Sequence, residues 1–255
     1  HRFGPGAAAY RGSPRTCHHQ QLCGDNEHPV EGLAVFYDAN GEFLWRCTGS
    51  LISPTVFLTA SHCADTVGGA VTARVYFQQN AGANYDPTAE VDPVSGYPEY
   101  CAEGTLGVTC ATSDEIYNIG YDGQLPAAGT LDSLATARGT KDTVFTVSGY
   151  GLTYKPNANA PMPPTSYRER LMALSRLVNL NSALTAGFNL QTQGNGSGLG
   201  GTCNGDSGGP VFLGGFDSNL IVGVTSFGLN SLCRGTDFAY RIDTPEVLAW
   251  IQRYL

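Results

Sequence analysis

One serine in this chain stands in a setting suited to covalent chemistry. Ser207 lies in GTCNGDSGGPV, residues 201–211, flanked by glycines at 205, 208 and 209, by Asp206 and by Cys203. A serine hydroxyl is a weak nucleophile. It needs a base within hydrogen-bond reach and donors placed where a tetrahedral oxyanion forms. The glycines let the backbone turn sharply, so the amides of Gly205 and Ser207 are the predicted oxyanion donors. Of five histidines, His62 alone follows a β-like apolar run and adjoins a cysteine, in SLISPTVFLTASHC. It is the candidate base, although a histidine taken alone is more often structural.

Other chemistries are poorly served. Eight cysteines stand at 17, 23, 47, 63, 101, 110, 203 and 233, an even set that favours disulfides. Cys17, His18, His19 and Cys23 approach a zinc spacing, but no second ligand pair follows at a matching interval, so no metal and no cofactor is expected. His1 is read as a processed terminus, not a copper ligand. Disulfides imply an oxidising, extracellular compartment. The formal charge is −8 with only 14 Lys and Arg, and none of them cluster, which argues against nucleic acid and anionic membranes as partners. No apolar run approaches the roughly 20 residues that cross a bilayer.

The elements that must position these side chains read as strands. A chain of 255 residues fits one large all-β domain or two small ones, and its 33 glycines and 14 prolines punctuate short apolar runs. Residues 1–27 lack helical or strand period and are read as an irregular extension. GLAVFYDANGEFLWRCTGSLIS predicts two strands around an Asp-Ala-Asn-Gly turn. VTARVYFQQ, 71–79, alternates, with Val71, Ala73, Val75 and Phe77 on one face. Further strands are predicted within 142–151, 209–213, 219–228 and 236–243, while RLMALSRLVNL, 170–180, fits strand or helix. TPEVLAWIQRYL predicts a terminal helix, with Thr244 as N-cap, Pro245 at the first position, and Val247, Leu248, Ile251 and Leu255 packing on the second half of the body.

LTASHC together with GTCNGDSGGP closely resembles the trypsin/chymotrypsin-like serine protease family, and the resemblance runs from about His28 to Leu255. It implies an all-β fold of two antiparallel β-barrels, with the active-site cleft between them and a C-terminal helix. The first barrel would span 28–125 and the second 126–255. It further implies a secreted monomeric endopeptidase acting on proteins or peptides, with His62 as base to Ser207. By the same resemblance Cys47 pairs with Cys63 and Cys203 with Cys233, which leaves Cys17–Cys23 and Cys101–Cys110. Ser226, Phe227 and Gly228 match the strand that pairs with substrate backbone.

Three positions depart from the family pattern. Its triad aspartate opens an apolar strand ahead of a Leu-Pro, here Leu125-Pro126. Upstream stands only TSDEIYNIGYDGQLP, where Asp114 and Asp122 are the candidates. Without that acid the chain would be a weakened protease or an inactive homologue that binds partners. QLCG, 21–24, stands where a freed amine-terminal segment pairs with the aspartate that is Asp206 here. An internal cation, Arg11, Arg15 or His18, is expected in its place, because an isolated buried carboxylate is heavily penalised. Finally, Gly201 occupies the floor position of the primary pocket, and Phe238 aligns with a wall. Both point to a small or medium apolar residue, not Lys or Arg, before the cleaved bond.

Overall fold

The computed structural model describes residues 23–25, 27–53, 55–64, 69–77, 123–135, 142–152, 169–182, 184–185, 188–196, 198–229, 233 and 235–255, with only the backbone at 23 and 24. Asp114, Asp122, the extension before Cys23, and the pairs Cys17–Cys23 and Cys101–Cys110 lie outside the described set.

Eleven strands and one helix are described. In chain order they are β1 (Cys23–Gly24), β2 (Glu31–Tyr37), β3 (Phe43–Ser53), β4 (Val56–Thr59), β5 (Thr72–Tyr76), β6 (Val144–Gly149), β7 (Leu171–Asn179), β8 (Asn189–Gln193), β9 (Pro210–Leu213), β10 (Ile221–Gly228), β11 (Thr236–Arg241) and α1 (Pro245–Ile251). All strand pairings are antiparallel. β4, β3, β2 and β5 form one sheet in that order. β7, β6, β9, β10, β11 and β8 follow one another around a six-stranded barrel, which the β7–β8 pairing closes. The protein is therefore all-β, with one short terminal helix.

In the first sheet the β2–β3 hairpin turns where Asp38 accepts backbone hydrogen bonds from Asn40 and Glu42, both 2.8 Å, and where Gly41 takes φ +82°. β5 alternates as expected, with Ala73 and Val75 buried between half-buried Thr72, Arg74 and Tyr76. β2 does not alternate, because both of its faces are covered. Ala34 and Phe36 enter the sheet's own core, while Leu33, Val35 and Tyr37 pack on Tyr150 from the other half. Each fully buried aliphatic side chain here stabilises by about 1.5–3 kcal/mol.

RLMALSRLVNL resolves as strand β7, because β6 pairs with it on one side and β8 and β1 on the other. Sheet pairing overrides an ambiguous local pattern. Two expectations are corrected. The extension is not irregular throughout, since Cys23–Gly24 forms β1 on the second barrel. The terminal helix packs not only on the second half: Ile251 and Val247 join a core shared by Ala34, Phe36 and Leu51 of the first sheet with Phe212, Val224 and Ile242. Thr244 has N-cap backbone geometry but makes no side-chain cap.

Candidate active site

Ser207 sits on the loop that enters β9, and the hydrogen bonds of that loop leave the amides on either side of Asp206 without acceptors among the described residues. Among the described residues, the amides of Cys203, Asp206, Gly208 and Gly209 all find acceptors: the Asp206 carboxylate, Cys203 O, Thr225 O and Asp206 O, at 2.8–3.0 Å. The amides of Asn204, Gly205 and Ser207 have none there, and those of Gly205 and Ser207 flank Asp206. Their orientation is nonetheless fixed, since a trans peptide points its N–H opposite its C=O. Asn204 O accepts from the Leu152 amide at 2.9 Å and Asp206 O from Gly209 at 2.8 Å, which holds the far side of each peptide. Gly205 and Gly208 adopt φ +100° and +86°, a region that favours glycine. A side chain at Gly208 would also run into Thr59 Oγ1 and Thr48 O.

Asp206 is buried behind this loop. Its carboxylate accepts from Gly151 N at 2.7 Å and Cys203 N at 2.8 Å. Burial nevertheless pushes its pKa up to about 7, with the nearby Asp237 charge adding to the rise. The Gly149-Tyr150-Gly151 turn takes its composition from this seat, because a Cβ on either glycine would collide with the Asp206 side chain. No cation pairs with Asp206 among the described residues; Arg11, Arg15 and His18 lie outside them.

His62 stands on a 3-10 turn, Ser61–Ala64, that follows β4. Two contacts fix the turn: the Cys47–Cys63 disulfide and a 2.8 Å hydrogen bond from Trp45 Nε1 to Cys63 O. Cys63 Sγ in turn lies 3.6 Å from Ser207 O, so the turn abuts the serine loop. Partial burial lowers the His62 pKa. Among the described residues no hydrogen bond joins His62 to Ser207, and no carboxylate contacts its ring. Asp114 and Asp122 lie outside that set.

A cleft beside Ser207 is lined by Thr202, Asn204, Ser226, Phe227, Gly228 and Asp237, among others. Cys233, bonded to Cys203, also borders it. Ser226 lies at a register shift between β10 and β11, and Phe227 is 43% exposed. Phe238 is 1% exposed and does not line the cleft; its ring stacks under Phe227, centroids 4.6 Å apart. Its neighbour Asp237 reaches the cleft instead, as successive residues of a strand point to opposite faces. Asp237 accepts from Thr202 N at 2.9 Å, and burial raises its pKa to about 6.

A second polar cluster ties the two halves together. Asp25 Oδ2 accepts from Ser148 Oγ at 2.6 Å and bonds His28 Nδ1 at 2.8 Å, while His28 Nε2 meets Ser218 O at 3.0 Å and its ring stacks on Phe212. Arg170 donates to Asp25 O, Glu31 O, Phe77 O and Tyr150 Oη. Burial raises the Asp25 pKa, but the His28 hydrogen bond and the Arg170 charge outweigh it and hold the group at about 2. His28 is thus a structural histidine, fully buried.

A closed antiparallel barrel beside a second sheet, with a serine loop where they meet, defines a chymotrypsin-like β-barrel architecture. The family model Trypsin matches residues 25–251, and the chain belongs to the trypsin family of proteases. It is 30% identical over 230 residues to brachyurin of Leptuca pugilator, covering 82% of this chain and 87% of that protein. It is 28% identical to trypsin delta of Drosophila melanogaster, covering 80% and 77%. Its fold is similar to that of HL collagenase, with TM-score 0.54, 19% identity and 90% and 97% of the two chains covered. It is likewise similar to protease Anisep from Arthrobacter nicotinovorans, with TM-score 0.56, 15% identity and 86% and 92% covered. No helix among the described residues is long and apolar enough to cross a membrane.

Proposed function

We propose that this chain is a secreted serine endopeptidase that forms an acyl-enzyme on Ser207, with His62 as general base and the amides of Gly205 and Ser207 as oxyanion donors. The observation that carries the reading is the loop in which those two amides lack acceptors among the described residues while the carbonyls of their own peptides are held by the Leu152 and Gly209 amides. The Ser207 hydroxyl attacks the peptide carbonyl and passes its proton to His62. The carbonyl oxygen becomes an anion facing the two amides. His62 then gives the proton to the departing amine, and water releases the acyl group by the same steps in reverse. Hydrogen bonds of this kind often tighten only with substrate bound, so the open His62–Ser207 geometry is compatible with the role. Asp114, or else Asp122, is the carboxylate proposed to orient His62.

Asp237 changes the substrate expected. A buried carboxylate beside Ser207, hydrogen-bonded by Thr202 but paired with no cation among the described residues, favours a cationic side chain in the pocket. Lys or Arg before the cleaved bond therefore replaces the small apolar residue expected from Gly201. Two disulfides among the described residues fit an extracellular site of action.

A fluorophosphonate probe tests the reading. Labelling of folded protein that vanishes in Ser207→Ala and slows by at least about 100-fold in His62→Ala supports it, in line with the cost of losing a general base. Folded protein that does not label is instead a non-catalytic homologue that uses the cleft for binding.

A further inference from the structure

The peptide between Gly205 and Asp206 is the link that connects the two amides flanking Asp206, and the residue that grips its carbonyl comes from the other sheet. Thr48 of β3 is fully buried. Its hydroxyl donates to Gly205 O at 2.9 Å and accepts from Tyr150 N at 3.1 Å. Its amide donates to Ser207 O at 2.8 Å. Its own carbonyl accepts from Thr59 Oγ1 at 2.7 Å. One residue of the first sheet thus holds the carbonyls of both residues read as oxyanion donors. On the opposite edge of the Gly205–Asp206 peptide, Asp206 N donates to Cys203 O at 3.0 Å.

We propose that Thr48 is a positioning residue for the oxyanion site, its hydroxyl locking the Gly205 carbonyl so that the Gly205 amide stays turned toward the reacting carbonyl. The inference rests on the reading of Ser207 and the two amides given above. A glycine at φ +100° has a wide choice of backbone conformations. The Gly205 N–H belongs to the preceding peptide, held at Asn204 O by the Leu152 amide; freeing the Gly205 carbonyl leaves the linking peptide held at its Cys203 edge alone and lets Gly205 shift relative to Ser207. The hydroxyl also satisfies the Tyr150 amide, one residue before the Gly151 amide that bonds Asp206. Through Thr48 the first sheet, the Tyr150 turn and the serine loop share one hydrogen-bond chain.

The test compares Thr48→Val, which keeps the shape and loses the hydroxyl, with Thr48→Ser, which keeps the hydroxyl. Steady-state kinetics on a peptide amide substrate would be paired with inhibition by a peptidyl boronic acid and by the same peptide as its carboxamide. Thr48→Val should lower kcat by about 10- to 50-fold, less than the loss of an oxyanion donor itself, with KM nearly unchanged. Affinity for the tetrahedral boronate should fall by a similar factor, and affinity for the carboxamide should not. Thr48→Ser should restore kcat to within about 3-fold by the same hydrogen-bond argument. If Thr48→Val does not fold, Thr48→Ala carries the same expectation. A variant without the hydroxyl that keeps wild-type kcat, one that alters KM alone, or equal losses in the Val and Ser variants would overturn the inference. Failure of the wild type to take the fluorophosphonate label overturns the reading beneath it as well, which separates the two failures.

Discussion

The Asp237 carboxylate occupies the space that a side chain at Gly201 would need. The two positions are alternative sources of the same charge: with the acid supplied from β11, the residue opposite must be glycine. The pocket of this chain therefore carries a carboxylate although its usual floor position has none.

Selectivity should consequently depend on pH. Asp237 titrates near 6, so it is neutral below that pH and charged above it. The ratio of kcat/KM for Arg or Lys substrates over Leu substrates should rise as pH passes from 5 to 7.5. Titration of His62 affects both substrates alike and cancels from the ratio. In Asp237→Asn the ratio should be flat with pH and about 10- to 100-fold lower at pH 8, the range for a lost buried charge pair. A wild-type ratio that does not move with pH would refute this role.

The His62 turn should loosen when Trp45 loses its donor. Trp45→Phe keeps the stack on Phe36 and removes the hydrogen bond to Cys63 O. The expected cost is about 1 kcal/mol in urea unfolding, typical of one hydrogen bond, with kcat several-fold lower. Unchanged kcat in this variant would show that the disulfide alone fixes the turn.

Arg170 should tolerate no substitution. Its guanidinium satisfies three backbone carbonyls and Tyr150 Oη in a site 3% exposed. Arg170→Lys retains charge but not the fork, and Arg170→Met leaves Asp25 without its compensating charge. Each should lower stability by about 3–5 kcal/mol, as for other broken buried pairs, read as a shift in the urea midpoint.

Stability should peak in mildly acid solution. Asp206 and Asp237 have raised pKa values of about 7 and 6, and burial likewise raises Glu31. A raised acid favours the folded state while protonated, and that advantage is lost as pH climbs through the folded value. For Asp206 the loss is on the order of 4 kcal/mol between pH 4 and pH 8. Asp25 acts in the opposite sense: held near 2, it contributes above pH 4, and its contribution fades as pH falls. Tm should thus decline from pH 5 to pH 8. Glu31→Gln should reduce that decline, because burial and the nearby Asp25 charge hold the Glu31 carboxyl well above the usual carboxylate range. An unchanged slope in this variant would show that Glu31 keeps one protonation state across the range.

What the sequence disclosed was local. The serine loop and the histidine turn announce themselves because their glycines and cysteines are constrained by neighbours a few residues away. β5 was readable from alternation, since one of its faces meets the core, whereas β2 shows none because Tyr150 covers its second face. Phe238 was expected at the pocket wall but is buried, and its neighbour Asp237 lines the cleft, since in a strand one position exchanges pocket for core. The Asp25–Arg170 cluster has no local signature, as its partners lie 145 residues apart. Thr48 was invisible for the same reason: its hydroxyl spans 157 residues to Gly205.

The seating of β1 also sets an order of events as the chain folds. Asp25 and His28 are made before the residues they bind, Arg170, Phe212 and Ser218, which lie up to 190 residues further on. Such distant closure is slow, and it must wait for most of the chain to be made. A nascent chain released before about residue 170 would carry β1 without β7 and Asp25 without Arg170, and one released before about residue 218 would still leave His28 without its Ser218 carbonyl. The buckle that fastens the two halves is also the last to snap shut, and protease-resistant chains should appear in a refolding time course only after it does.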